Sequence, residues 1–389
     1  MDDAGETTLK AARALAPELS ARAEEGEALH TMPPDLVDRV RATRLFALWR
    51  PRSLGGLELD PLTQLEIIEE LSRADGSAGW TIMIGSGSSA IFAWLDPEVA
   101  RDMIGDDLDS ASASMFAPLG RGVPDGNGGI TLSGRWPFNS GCPHAAFFQT
   151  GLFVSDGDGP RMVPPGRPDW RFAFLHRAEA EIVETWDAAG LRGTGSHDVV
   201  VRELPVPAEQ LAAPMFEQAR HDGPLWRIPF FTAIGVSLCG FPLGVARRAL
   251  DELTALAPTK RRGSGDAVLA EDAYVQLELA RAEGGLQAAR AFAVDAIGDI
   301  WQTACAGDPP SLDQRLRALL AVQQSMRSAM AAVDTAFELA GAGAVYTSHP
   351  LQRCFRDIHT AKQHIVFSPD RWRRYAQHRV GIGGPTFMI

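Results

Sequence analysis

The sequence predicts a mostly helical chain with an all-β segment in its middle. Three observations carry this expectation. Apolar residues recur at helical spacing from the start to about residue 110. From there to about residue 213 they alternate with period two, and Gly, Pro, Asp and Asn cluster between the runs. After Pro214 the helical period returns and holds almost to the end. A chain of 389 residues that is 45% hydrophobic can bury cores for two or three domains. The expected units are an N-terminal helical domain over 1–110, a β-barrel or sandwich over 111–213, and a C-terminal four-helix bundle over 214–389.

Leu9, Ala12, Leu15 and Leu19 mark the first helix, with Ala and Glu between them. Pro33-Pro34 starts another, from Asp35 to Thr43. Phe46 to Gly56 reads as a loop that ends in the Gly55-Gly56 turn. Asp60-Pro61 opens a helix to about Ala74. Asp75-Gly76-Ser77 breaks it and caps the next, Ala78 to Leu95. Strand candidates follow at Ser112 to Phe116, Ile130 to Trp136, Ala145 to Phe153, Arg171 to His176, Glu181 to Trp186 and Val199 to Leu204. The bundle helices are expected at Pro229 to Leu256, Asp272 to Ala304, Ser311 to Leu339 and Pro350 to Phe367, joined by short loops.

Composition removes several function classes. A net charge of -12 argues against nucleic acid or an anionic membrane as the main partner. Cys142, Cys239, Cys305 and Cys354 show no C-x-x-C or metal spacing, which suits reduced thiols in the cytoplasm. The opening MDDAGETTLK lacks the apolar core of a secretory signal. The longest apolar run, Phe230 to Ala246, is broken by Gly235, Gly240, Pro242 and Gly244 and reads as a buried bundle helix. His144, His176, His197, His221, His349, His359 and His378 have no metal spacing with each other or with acidic residues, and no H-E-x-x-H, G-x-S-x-G or P-loop string is present. Gly85-Ser86-Gly87 follows no strand, so it is not a Rossmann turn.

The stretch Ser348 to Pro369 carries the clearest chemistry. Wound as one helix, it places Arg353, Asp357, Thr360 and His364 on a single face, at spacings of four, three and four. Leu351, Phe355 and Ile358 cover other sides, so the helix is largely buried and its polar stripe needs partners. The stripe is either an interhelical salt-bridge network or a general acid/base histidine, His364, at the floor of a pocket. Elsewhere, Trp136 and Ser140 sit at the end of a strand, as a core Trp and a turn Ser or as a ring wall and a hydroxyl ligand. The Leu191 to Ser196 loop, with Gly193, Thr194, Gly195 and Ser196, is a turn or a phosphate cradle. Lys260-Arg261-Arg262-Gly263 is a solvated loop or a phosphate clamp. Gly341 and Gly343 end the third bundle helix.

Four strings fall in order on these elements: Arg73-Ala74-Asp75-Gly76-Ser77-Ala78-Gly79-Trp80, Gly134-Arg135-Trp136-Pro137-Phe138-Asn139-Ser140-Gly141, Gly190-Leu191-Arg192-Gly193-Thr194-Gly195-Ser196, and Pro350-Leu351-Gln352-Arg353 followed by Arg356-Asp357 and His364. From about residue 10 to about 380 the chain resembles the acyl-CoA dehydrogenase fold, and within it the two-component flavin-dependent monooxygenases. The dehydrogenases usually carry a glutamate after the final helix; here Gln363-His364-Ile365-Val366-Phe367 has a histidine and no carboxylate. Many of the monooxygenases have a histidine in the early helix after the Gly-Trp pair, and here Ser88 stands in its place.

The resemblance implies an oxygenase component that takes reduced flavin (FMNH2 or FADH2) from a separate reductase. With O2 it would hydroxylate or N/S-oxygenate a small aromatic or natural-product-like substrate. It implies His364 as base or orienter with Asp357 or Arg353 in support, Ser140 beside flavin N5, and Trp136 as a wall for the ring. Thr194 and Ser196 would lie on the cofactor, and Ser88, Arg353 and His364 on the substrate. Lys260, Arg261, Arg262, Gly341 and Gly343 would reach the cofactor of a neighbouring subunit, which makes a homotetramer the expected assembly. The consecutive run Ala318-Leu319-Leu320-Ala321-Val322 is read as needing a second chain to cover it. The alternatives are an acyl-CoA dehydrogenase with its base elsewhere and a non-redox protein on the same fold.

Overall fold

The protein is described by a computed structural model covering residues 2–261, 267–383 and 389. The N-terminal helices are α1 (Asp3–Ala21), α2 (Ala23–Leu29), α3 (Pro34–Ala42), α4 (Pro61–Ala74), α5 (Gly76–Ala90) and α6 (Pro97–Ile104). Their starts follow from local chemistry. Asp60 accepts from the Leu62 and Thr63 amides to cap α4, and Asp75 accepts from Ala78 to cap α5. Helix α5 is buried on nearly every side, as its even apolar and small-residue composition requires. Arg50, fully buried, anchors it: Nε donates to Ser89 Oγ at 2.7 Å, and Nη1 and Nη2 donate to the Leu108 and Ser110 carbonyls at 2.6 and 2.7 Å. One guanidinium thus ties α5 to the chain entering the first strand.

The β segment is built on one sheet with strand order β10-β7-β3-β1-β2-β9-β8. The strands are β1 (Ala111–Pro124), β2 (Ile130–Asn139), β3 (Ala145–Asp156), β7 (Trp170–His176), β8 (Glu181–Val183), β9 (His197–Val206) and β10 (Leu211–Ala212). The two-residue strand β4 (Gly159–Pro160) adds to β3, and β5 (Met162–Val163) pairs with β6 (Arg167–Pro168) as a separate ribbon. Neighbours are antiparallel except β1 and β3, which run parallel at the centre. Trp136 fills the core on one face of this sheet. A Cβ on Gly120 or Gly134 would stand 2.4 or 2.6 Å from its ring, so both positions must be glycine.

The C-terminal helices are α7 (Phe230–Ser237), α8 (Gly240–Leu256), α9 (Ala273–Cys305), α10 (Leu312–Ala340), α11 (Pro350–Ala361) and α12 (Asp370–Arg379). The stretch expected as one helix from Pro229 to Leu256 is two, α7 and α8, divided at Leu238-Cys239. Its most apolar window is 78% buried inside the protein, as suits a core helix. Gly240 and Gly244 of α8 lie against the backbone of α4, where added Cβ atoms would stand 2.5 Å from the Leu65 carbonyl oxygen and 2.2 Å from that of Glu69. The early and late helices therefore share one core.

Helix α10 corrects the reading of its apolar run. It packs against α7, α8, α9, α11 and α12, so Ala318, Leu319, Ala321 and Val322 are all buried within one protomer. Only Leu320 of that run stays half-buried, so four of its five residues need no second chain. The last stripe is corrected too. Helix α11 stops at Ala361, and His364 caps a short turn over Ile365–Phe367 instead of extending the face of Arg353 and Asp357.

Candidate active site

Trp80 of α5 lies at the centre of the site. Its indole Nε1 donates to Ser140 Oγ at 3.0 Å. Its ring meets His364 edge-on, with centroids 5.6 Å apart, and meets Phe241 of α8 at 5.0 Å. One side chain from the N-terminal helices thus bridges the serine after β2 and the histidine after α11.

From Ser140 a line of hydroxyls runs inward. Ser140 Oγ lies 2.9 Å from Ser196 Oγ, which lies 2.6 Å from Thr194 Oγ1, and Thr194 donates to the Leu191 carbonyl at 2.8 Å. All three are buried. A hydroxyl has one proton to give and two lone pairs. Thr194 gives its proton to Leu191, so Ser196 must donate to Thr194 and Ser140 must donate to Ser196. The chain therefore has one direction, from the Trp80 N–H to a carbonyl that can only accept. Ser140 is left with a single lone pair and no proton to offer.

His364 is half-buried beside this chain. Burial pushes its pKa down to about 4, and the Arg371 charge acts in the same direction, so the ring is neutral at pH 7. Its Nδ1 accepts from the Val366 amide at 3.3 Å. That bond assigns the remaining proton to Nε2. The turn is held from outside as well: Gln323 Nε2 donates to the Val366 carbonyl at 2.5 Å, and Lys362 Nζ to the Phe367 carbonyl at 2.6 Å.

Asp357 and Arg353 stand elsewhere. Asp357, 1% exposed, accepts from the Leu191 amide at 2.6 Å. Burial, with the Asp75 charge adding to it, pushes its pKa up to about 8. Arg353 and Arg356 both pair with Glu27 of α2, at 3.2 and 2.8 Å. These residues form the interhelical network that was one of the two readings of the stripe, and they anchor the 190–196 loop. Three amides of that loop are not free for a phosphate. They are spent inside the protein, Leu191 on Asp357, Gly193 on Ser77 Oγ, and Thr194 on the Leu191 carbonyl.

Trp136 is not a wall of the site. It is wholly enclosed, and its Nε1 donates to the Gly151 carbonyl at 2.7 Å. The aromatic beside Ser140 is Trp80, which the sequence shows only as one letter of a string. Ser88 is buried and shares a 2.7 Å bond with Ser114 Oγ of β1. Several buried polar atoms have no protein partner: Thr81 Oγ1 on α5, Asn139 Oδ1 beside Ser140, Ser112 Oγ on β1, and both amide atoms of Gln149 on β3. A ligand with its own donors and acceptors would answer them. At the far end of the bundle, the structure brings Lys260 to the Gly341–Gly343 turn, where a Cβ on Gly343 would lie 3.0 Å from Lys260 Nζ. Arg262 lies outside the described residues.

Residues 3–104 match the model of the acyl-CoA dehydrogenase N-terminal domain, and residues 236–369 match that of the acyl-CoA dehydrogenase C-terminal domain. The chain is 34% identical to indole-3-acetate monooxygenase of Pseudomonas putida, over 88% of this chain and 86% of that protein. It is 30% identical to the flavin-dependent monooxygenase oxygenase subunit HsaA of Rhodococcus jostii, over 92% and 94%. The crystal structure of 3-HSA hydroxylase from Rhodococcus sp. RHA1 superposes with a TM-score of 0.91 at 26% identity, covering 98% of this chain and 99% of that one.

Proposed function

Since the chain belongs to the acyl-CoA dehydrogenase family, as the oxygenase component of a flavin-dependent monooxygenase, we propose that Ser140, Trp80 and His364 form its reaction site for a small aromatic substrate. Reduced flavin, FMNH2 or FADH2 from a separate reductase, supplies the electrons that activate O2. The residues fit such a ring. Thr81 Oγ1, Asn139 Oδ1 and Ser112 Oγ are buried without partners, and Ser140 offers one lone pair.

The one-way hydroxyl chain carries this reading. Reduced flavin presents a proton at N5, whereas the oxidised ring presents a lone pair there. A Ser140 that can only accept matches the first and repels the second. His364, neutral and protonated at Nε2, holds a substrate oxygen by donating to it. Trp80 fixes both groups at once and, with Phe241, screens them from water. A dehydrogenase would need a free carboxylate base here; the buried carboxylates Asp75 and Asp357 are tied to the Ala78 and Leu191 amides instead.

Lys260, beside Gly343, is assigned to a flavin phosphate, with Arg261 next to it. The same turn leads to Val345 and Tyr346, which are 59% and 69% exposed. An apolar surface next to a phosphate clamp fits a neighbouring protomer, so the assembly is taken as a homotetramer. Four free cysteines suit a reducing cytoplasm.

Anaerobic titration of wild type and Ser140→Ala with reduced and oxidised flavin tests the reading. The alanine variant should lose reduced-flavin affinity worth about 0.5–1.5 kcal/mol and, with the repulsion gone, bind oxidised flavin at least as tightly as wild type does. An unaltered preference for the reduced form would remove Ser140 from the flavin.

A further inference from the structure

The three hydroxyls behind the site are unequal. Ser140 ends the line toward the ligand, Ser196 is its middle, and Thr194, fully enclosed, is its far end. Two hydroxyls that meet alone have no fixed direction. Ser88 and Ser114 are such a pair, 2.7 Å apart, and either can donate. Ser140 and Ser196 would be the same if nothing lay beyond them. Thr194 decides between them, because its proton goes to a carbonyl that cannot give one back.

That carbonyl is held in place at some cost. Leu191 has a φ of 52°, in the left-handed region that a leucine enters only when its surroundings compel it. Its amide donates to Asp357 Oδ1 at 2.6 Å. Its carbonyl receives Trp186 Nε1 at 2.9 Å beside the Thr194 hydroxyl at 2.8 Å. A carbonyl oxygen has two lone pairs, and here side chains fill both. Valine at position 194 would therefore not leave this carbonyl unpaired. Valine copies the shape of threonine but carries no hydroxyl. Ser196 would then give its proton to Ser140. Ser140, still accepting from Trp80 Nε1, would turn its own proton outward.

Resting on the function proposed above, we infer that Thr194 is a positioning residue that selects the redox form of the flavin from behind Ser196. With threonine there, Ser140 accepts and the site favours a ring with a proton at N5. With valine there, Ser140 donates and the site favours a ring with a lone pair at N5. The selectivity is set two hydrogen bonds behind the residue that expresses it.

Anaerobic titration of the full-length protein with FMN and FAD, each oxidised and reduced, measures the ratio of oxidised to reduced Kd. Wild type should favour the reduced form. Thr194→Val should lower that ratio roughly tenfold, since one bond to the reduced ring is lost and one to the oxidised ring is gained. A tenfold fall lowers the midpoint potential of the bound flavin by about 30 mV. Ser196→Ala removes the acceptor of Ser140 by another route and should lower the ratio alike. It carries the test should Thr194→Val not fold, as judged by circular dichroism. Thr194→Ser keeps the hydroxyl and should keep the wild-type ratio. A wild-type ratio in both Thr194→Val and Ser196→Ala, or an equal loss of affinity for both redox forms, overturns the inference. So does a fall in Thr194→Ser as large as that in Thr194→Val. If Ser140→Ala changes the ratio and these variants do not, only this inference fails. If Ser140→Ala leaves it unchanged as well, the flavin reading fails with it.

Discussion

The role proposed for His364 depends on its being neutral. With a pKa of about 4 it keeps one ring proton, on Nε2, through the range where an ordinary histidine titrates. Activity should therefore show no limb near 6.5 belonging to this residue; its loss should come as pH falls toward 4, when Nδ1 gains a proton and gives up the Val366 amide. The same depressed pKa contributes stability that is complete above the unfolded value near 6.5 and is lost as pH falls through about 4. His364→Ala should fold and bind reduced flavin yet form product roughly a hundredfold to ten-thousandfold more slowly. Its electrons should appear as hydrogen peroxide, read as peroxide and product per flavin oxidised. Wild-type coupling in that variant would remove His364 from the site. The sequence pointed to His364 and Ser140 through their strings. It did not show that Trp80 joins them, because the Trp80–Ser140 bond spans 60 positions and leaves no local pattern.

At the scale of elements, periodicity located most helices but not where α11 stops. No breaker precedes Pro369, so the apolar pattern alone runs on to Phe367. The helix ends at Ala361 because Gln323 of α10 and Lys362 capture the carbonyls of the following turn. Pairing of β1 with β3 in parallel was hidden for a like reason: alternation says which residues face inward, not which strand lies alongside. Helix α11 still does what its polar stripe requires, since Asp357 carries the loop that ends the hydroxyl chain. Asp357→Ala should cost about 1–3 kcal/mol by leaving the Leu191 amide unpaired. Asp357→Asn keeps the acceptor and removes a group whose folded pKa is raised. In wild type the penalty grows as pH rises from the ordinary carboxylate value toward about 8 and then levels off. The asparagine variant should gain thermal stability relative to wild type across that window, measured as Tm against pH. A constant Tm difference would mean that Asp357 is ionised in the fold throughout.

Over the whole molecule, the case for assembly rests on the 341–346 turn and not on the 318–322 run of α10, four of whose five residues one protomer already buries. Lys260→Glu with Arg261→Glu should weaken reduced-flavin binding while light scattering still reports a tetramer. A monomer that binds reduced flavin tightly would refute both the clamp and its subunit origin. The close seat of α4 on Gly240 and Gly244 also governs how the protein is made. At about 5–20 residues per second, α8 leaves the ribosome roughly ten to forty seconds after α4. Throughout that interval the face of α4 that Gly240 and Gly244 will cover lacks its partner, a transiently open apolar surface of the kind that chaperones shield.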